Sequence, residues 1–183
     1  MFKDLFNTTV SLIFKPSEAW KVLSEKRTDD NEKFLSGFVY PFIGLITIAA
    51  FLGVLFTRKE FDIQIALKAA ILALLSVFGG FFLASYWVNE LWRVVFKRDK
   101  NIKLCQTFVG YSSALMFSLN ILLSLLPEFF FLRFFVLYTI YIVWEVAFPY
   151  MEVKESEQLK FVCIATVVIV ATTLDIGVIM WVL

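Results

Sequence analysis

The chain has 183 residues, 60% hydrophobic and 18% charged, with a formal net charge of +1 and a mean hydropathy of +0.81. Globular domains sit near half apolar and about a quarter charged, so this balance excludes an ordinary soluble domain, and the charge offers no electrostatic footing for nucleic acid. Histidine is absent and the two cysteines, Cys105 and Cys163, form no CxxC pair, which removes the commonest general base and the usual imidazole and thiolate metal sites.

Met1–Phe14 places Phe2, Leu5, Phe6, Val10 and Ile13 at helical spacing, with Lys3, Asp4, Asn7 and Thr8 on another face. Its apolar run of about five residues before Lys15 is too short for a secretory signal. Pro16 stands where a first helical turn tolerates it and opens a second short helix carrying Trp20 and Leu23 on one side. Asp29–Glu32 is a charged linker. Residues 1–33 thus read as an amphipathic region with two placements open. It packs against the cytoplasmic end of a bundle, or it lies among headgroups with its phenylalanines inserted and its lysines near anionic lipid. Both placements keep Trp20 at the interface.

Five apolar stretches follow: Phe34–Phe56, Ile63–Val88, Phe108–Leu126, Phe129–Phe148 and Phe161–Leu183. A helix of about 20 residues crosses the roughly 30 Å of hydrocarbon. Inside a bilayer every backbone N–H and C=O must be paired within the protein, which demands helices here; barrel strands would be shorter and would alternate. The expected fold is an all-α polytopic bundle of five spans over 34–183, preceded by the amphipathic region. The link Pro127–Glu128 is so short that spans three and four must form an antiparallel hairpin, and Thr57–Asp62 joins spans one and two almost as tightly.

Cationic residues sort by loop. Lys3, Lys15, Lys21, Lys26, Arg27 and Lys33 precede span one; Arg93, Lys97, Arg98, Lys100 and Lys103 lie between spans two and three; Lys154 and Lys160 lie between spans four and five. Against these 13 stand four on the other side, Arg58, Lys59, Lys68 and Arg133. The positive-inside rule puts the N-terminus in the cytoplasm and Leu183 outside.

Charges inside spans cost about 2.5–3.5 kcal/mol at a helix centre and call for a reason. Lys68, Arg133 and Asp175 lie at comparable outer depth, and Asp175 is expected to pair with Lys68 or Arg133 inside the bundle. The pair would be a fixed ion pair or the lining of a small polar cavity; alternatively Lys68 and Arg133 snorkel to headgroups. Glu90, Arg93 and Glu145 form a candidate cytoplasmic-side cluster, read chiefly as interfacial salt bridging, with Lys160 nearby. Asn120 is expected to hydrogen-bond another helix. Two small-residue stripes at four-residue spacing, Ser76, Gly80 and Ala84 in span two and Gly110, Ala114 and Ser118 in span three, are expected to face other helices. Ser112 and Ser113 are expected to bond the carbonyl one turn back. Cys105 and Cys163 are expected to be free thiols that pack.

The order of several residues matches a known pattern. Ile13–Leu23 reads IFKPSEAWKVL and Phe38–Leu52 reads FVYPFIGLITIAAFL; Val109–Tyr111, Leu126–Pro127 and LYTIYIVWEV at Leu137–Val146 follow. In this order the chain resembles the bacterial branch of the Yip1 family of five-span membrane proteins, over nearly its whole length. Similar members often carry a proline a few residues after the tyrosine of span three, where this chain has Ser112, Ser113, Ala114 and Leu115. The Asp-Leu-x-Gly-Pro type of motif of eukaryotic members is absent, so the resemblance implies neither trafficking nor small-GTPase binding, and no settled activity; the absence of histidine, and of a base near Ser112 and Ser113, is what argues against an enzyme. It implies a multi-pass protein of the bacterial cytoplasmic membrane. The reading is a non-catalytic membrane-organising or scaffold protein whose partners are the bilayer and other membrane proteins or itself, with no nucleic acid. The alternative is a small-solute or ion transporter or channel subunit using Lys68, Arg133 and Asp175.

Overall fold

A computed structural model gives residues 2–25, 31–57 and 62–182, with side chains at all of these but 55, 57 and 173–182. The described residues are helical and contain no strand. Two short helices, α1 (Phe2–Phe14) and α2 (Pro16–Glu25), precede α3 (Asn31–Phe34), which runs through a π-helical turn (Leu35–Val39) into α4 (Tyr40–Thr57). The remaining helices are α5 (Ile63–Val94), α6 (Ile102–Ser112), α7 (Ala114–Leu125), a 3-10 helix (Pro127–Tyr138), α8 (Thr139–Val146) and α9 (Glu155–Val182).

Local chemistry sets each boundary. Pro16 opens α2, since a missing N–H costs nothing in a first turn. Pro41 cannot donate to the carbonyl of Gly37, and its ring crowds that carbonyl. The chain answers by widening the turn before it, so that the Tyr40 N–H bonds Leu35 five residues back. Asp62 caps α5, its Oδ1 accepting from the N–H groups of Gln64 (2.8 Å) and Ile65 (3.3 Å). At 32 residues α5 is about 48 Å long at 1.5 Å per residue, so its final turns extend past the hydrocarbon. Asn101 caps α6 by accepting from Leu104 N–H at 3.0 Å.

Three stretches are long and apolar enough to cross a membrane, 31–54, 63–94 and 127–146; α6 and α7 make a fourth if that bent pair is one span. The fifth expected stretch lies within α9, whose side chains past Thr172 are outside the described residues. Span one begins slightly earlier than its apolar stretch, at Asn31, because α3 adds one helical turn. Span four is half 3-10: Pro127 occupies its first turn, and Phe129 (φ −84, ψ 35) leaves helical geometry.

Helix α5 is central, packing on α4, α6 and α9, while α4 also packs on α7 and α8 packs on α9. The core is strongly aromatic. Phe34, Phe38 and Phe42 follow one face of span one, and Phe42 reaches Phe117 at 5.4 Å between centroids. Trp92, Phe96, Phe108 and Phe161 form a second group between α5, α6 and α9.

The amphipathic region packs against the helical bundle. Leu5, Thr9 and Leu12 are the buried stripe of α1, which rests on α7 and α6. The carbonyl of Ile13 accepts from the Tyr138 hydroxyl at 3.0 Å, at the inner end of the 12-residue 3-10 helix. Trp20 is fully buried within the protein; its ring is held by aromatic neighbours that lie far away in sequence.

Candidate functional site

The charged residues expected inside the membrane do not form an interior group among the described residues. Lys68 and Arg133 are both exposed, and the pairing proposed for Asp175 lies outside the described side chains. At the far end of α5, Arg93 donates to Glu90 at 3.0 Å, and Lys100 makes a second ion pair with the same carboxylate. Glu145 makes no ion pair with either, although expected beside them, because α8 packs chiefly on α9, α2 and the 3-10 helix and not on α5. The α5–α6 connection is held by further polar contacts. Asn89 Oδ1 accepts from Asn101 N–H at 3.0 Å, Arg98 donates to the Glu152 carbonyl at 3.2 Å, and the Arg98 guanidinium lies 5.9 Å from the Trp92 ring centroid. Lys97 adopts φ 52 in this connection. Both cysteines are free, Cys105 buried and Cys163 exposed, so packing holds for the first alone. Asn120 is half-buried.

Both small-residue stripes turn inward. Gly80 and Ala84 are buried and Ser76 is half-buried; Gly110 and Ala114 are buried and Ser118 is half-buried, donating to the Ala114 carbonyl at 2.8 Å. A Cβ on Gly110 would lie 2.5 Å from Phe34 Cζ and 3.3 Å from Val39, so glycine is what lets the π turn meet α6. The Ser112 hydroxyl is buried with no partner rather than bonded one turn back. Span three breaks here by 46° without the proline that similar sequences carry. Gly110, Ser112 and Ser113 supply the weak helical stretch in its place.

The residues that carried the resemblance converge on this break. Trp20 packs edge-on against Tyr111 (6.0 Å) and tilted on Tyr150 (5.3 Å), and Tyr111 also meets Phe34 (4.9 Å) and Phe38 (4.7 Å). The N-terminal region is thereby fastened to spans one and three and to the turn after α8. Tyr150 escaped sequence reasoning, since it lies in an irregular turn with no periodic signal.

A surface groove of about 710 Å³ runs along span four. Phe134, Phe135, Leu137 and Ile140 line its apolar part. Tyr138, Tyr141, Trp144 and Glu145 line the rest, toward the end of α8. The Tyr138 and Tyr141 rings stand 5.3 Å apart at 54°. No residue of the 3-10 helix is buried; its main neighbours are α7 and α8. The signal was present in the sequence as aromatic residues at positions 134, 138, 141 and 144, spaced three to four apart on one helical face.

Long apolar helices, inward small-residue stripes and polar contacts gathered at helix ends define an α-helical integral membrane protein. The chain belongs to the Yip1 domain family, whose model matches residues 10–176. Comparison with curated proteins and with solved structures finds no match.

Proposed function

We propose that the chain is a membrane-organising protein of the bacterial Yip1 type. It would have five spans, its N-terminus in the cytoplasm and the end of the fifth span outside, and it would act through helix-face contacts with neighbours in the bilayer, without catalysis. The observation that carries this reading is the 3-10 half of span four. Phe130, Phe131 and Phe134 are exposed there, while Leu132, Val136 and Tyr138 pack against the core, so this element is held to the bundle and still presents an aromatic surface outward. In lipid such a surface can associate with a neighbour by packing and not by hydrophobic exclusion. The anchoring of α1 and α2 to the bundle agrees with a protein whose mass lies in the membrane. The transporter reading has no comparable support, since Lys68 and Arg133 are exposed.

Photo-crosslinking residues at Phe131, and at Phe78 on the exposed side of α5, test this in native membranes. Discrete protein adducts, with this chain or another, are expected from Phe131. Adducts to lipid alone from both sites would overturn the scaffold reading.

A further inference from the structure

We propose that the groove of span four is a binding site for a phospholipid with a primary-amine headgroup, its ammonium held by Tyr138, Tyr141, Trp144 and Glu145. This rests on the reading of 127–146 as a lipid-facing span and is independent of any protein partner.

The groove is graded along its length. Phe134, Phe135, Leu137 and Ile140 give it an apolar floor suited to an acyl chain, while the aromatic and acidic groups lie in the last two turns before the span ends at Val146. A lipid in the adjoining leaflet has the same order, chain toward the midplane and headgroup at the span's end. In the orientation proposed above this is the cytoplasmic leaflet.

Charge complementarity selects the headgroup. Glu145 is half-buried and has no ion-pair partner among the described residues. The cations expected to share its cluster, Arg93 among them, are held elsewhere: Arg93 and Lys100 both pair with Glu90. A carboxylate near hydrocarbon favours a cation beside it, and no protein cation fills that position among the described residues. The Tyr138 hydroxyl is held by the Ile13 carbonyl, which fixes its ring against Tyr141 as one side of a corner. Aromatic rings around a carboxylate are the chemistry that recognises ammonium groups. A primary ammonium adds a charge-assisted hydrogen bond to Glu145, which a quaternary ammonium cannot make, and a headgroup bearing only phosphate and hydroxyls meets a like charge.

The test uses the full chain in nanodiscs of equal parts phosphatidylethanolamine and phosphatidylglycerol, released into native mass spectrometry. Retained phosphatidylethanolamine is expected to exceed phosphatidylglycerol by roughly tenfold, the scale of one desolvated cation–aromatic contact. Glu145→Gln and Tyr141→Ala should each erase the preference, while Lys68→Gln, outside the groove, should leave it intact. Replacing phosphatidylethanolamine by phosphatidylcholine should lower retention in the unmutated chain, an arm that needs no variant to fold. Equal retention of all three lipids, or a preference untouched by Glu145→Gln, would overturn the site. Protein adducts from Phe131 do not depend on this result, so the two readings fail separately.

Discussion

Glycine at two positions decides how closely the spans approach. A Cβ on Gly53 would overlap the carbonyl oxygen of Ser124, which belongs to the backbone of α7 and cannot rotate away. Gly53→Ala is therefore expected to push α4 from α7 and to lower stability by about 1–3 kcal/mol, the usual cost of overpacking. Gly44, on the same helix, has nothing within 4 Å of its added Cβ, so Gly44→Ala should not destabilise. Unfolding of both variants by SDS titration in mixed micelles measures the contrast; equal loss in the two would refute the contact. The four-residue spacing of Ala49 and Gly53 carries the same small-residue signal as the stripes of spans two and three, and both residues are buried. Gly53 was thus legible in principle. Trp20 was not, because a tryptophan near a helix end reads as interfacial until its partners are known. Tyr111 and Tyr150, which enclose it, lie 91 and 130 residues further along the chain.

The irregular turns of spans one and three have local causes of different kinds. The π turn of span one follows from Pro41, which removes one donor and crowds one carbonyl. The bend in span three follows from Gly110, Ser112 and Ser113, small residues that resist bending weakly. The 3-10 turns of span four begin at Pro127 and are interrupted at Phe129, and their resumption as far as Tyr138 has no counterpart in the residue pattern. Near the end of α5, Asn89 ties that helix to the start of α6. Asn89→Ala would leave the buried side of the Asn101 N–H without its acceptor, at a cost of about 1–3 kcal/mol. Hydrogen exchange should then quicken at residues 101–105, and unchanged protection there would show that the Asn101 cap alone holds the connection.

At the scale of the whole molecule, loop charges and helix order make a joint expectation. With Cys105 and Cys163 replaced by alanine, single cysteines at Asp99 and Lys154 should react with a membrane-impermeant maleimide from one side of the membrane. Cysteines at Glu60 and Glu128 should react from the other side. Labelling of residues 99 and 128 from the same side would refute the arrangement of spans three and four proposed here. The membrane class, the helical content and the approximate limits of the apolar stretches were determined by the sequence alone. They follow from backbone hydrogen bonding and transfer free energy, which act on each segment separately. Only the tertiary structure decided that Trp20 is buried against Tyr111 and Tyr150, that α1 reaches Tyr138, and that Lys68 and Arg133 face outward. It also decided that span four carries an aromatic groove ending at Glu145. Such outcomes depend on which faces of distant segments meet, and apolar surface in lipid specifies that poorly, because one greasy face packs against another with little preference. The particular shapes of Gly53, Gly110 and the aromatic rings supply the discrimination, and their fit exists only once the helices are side by side.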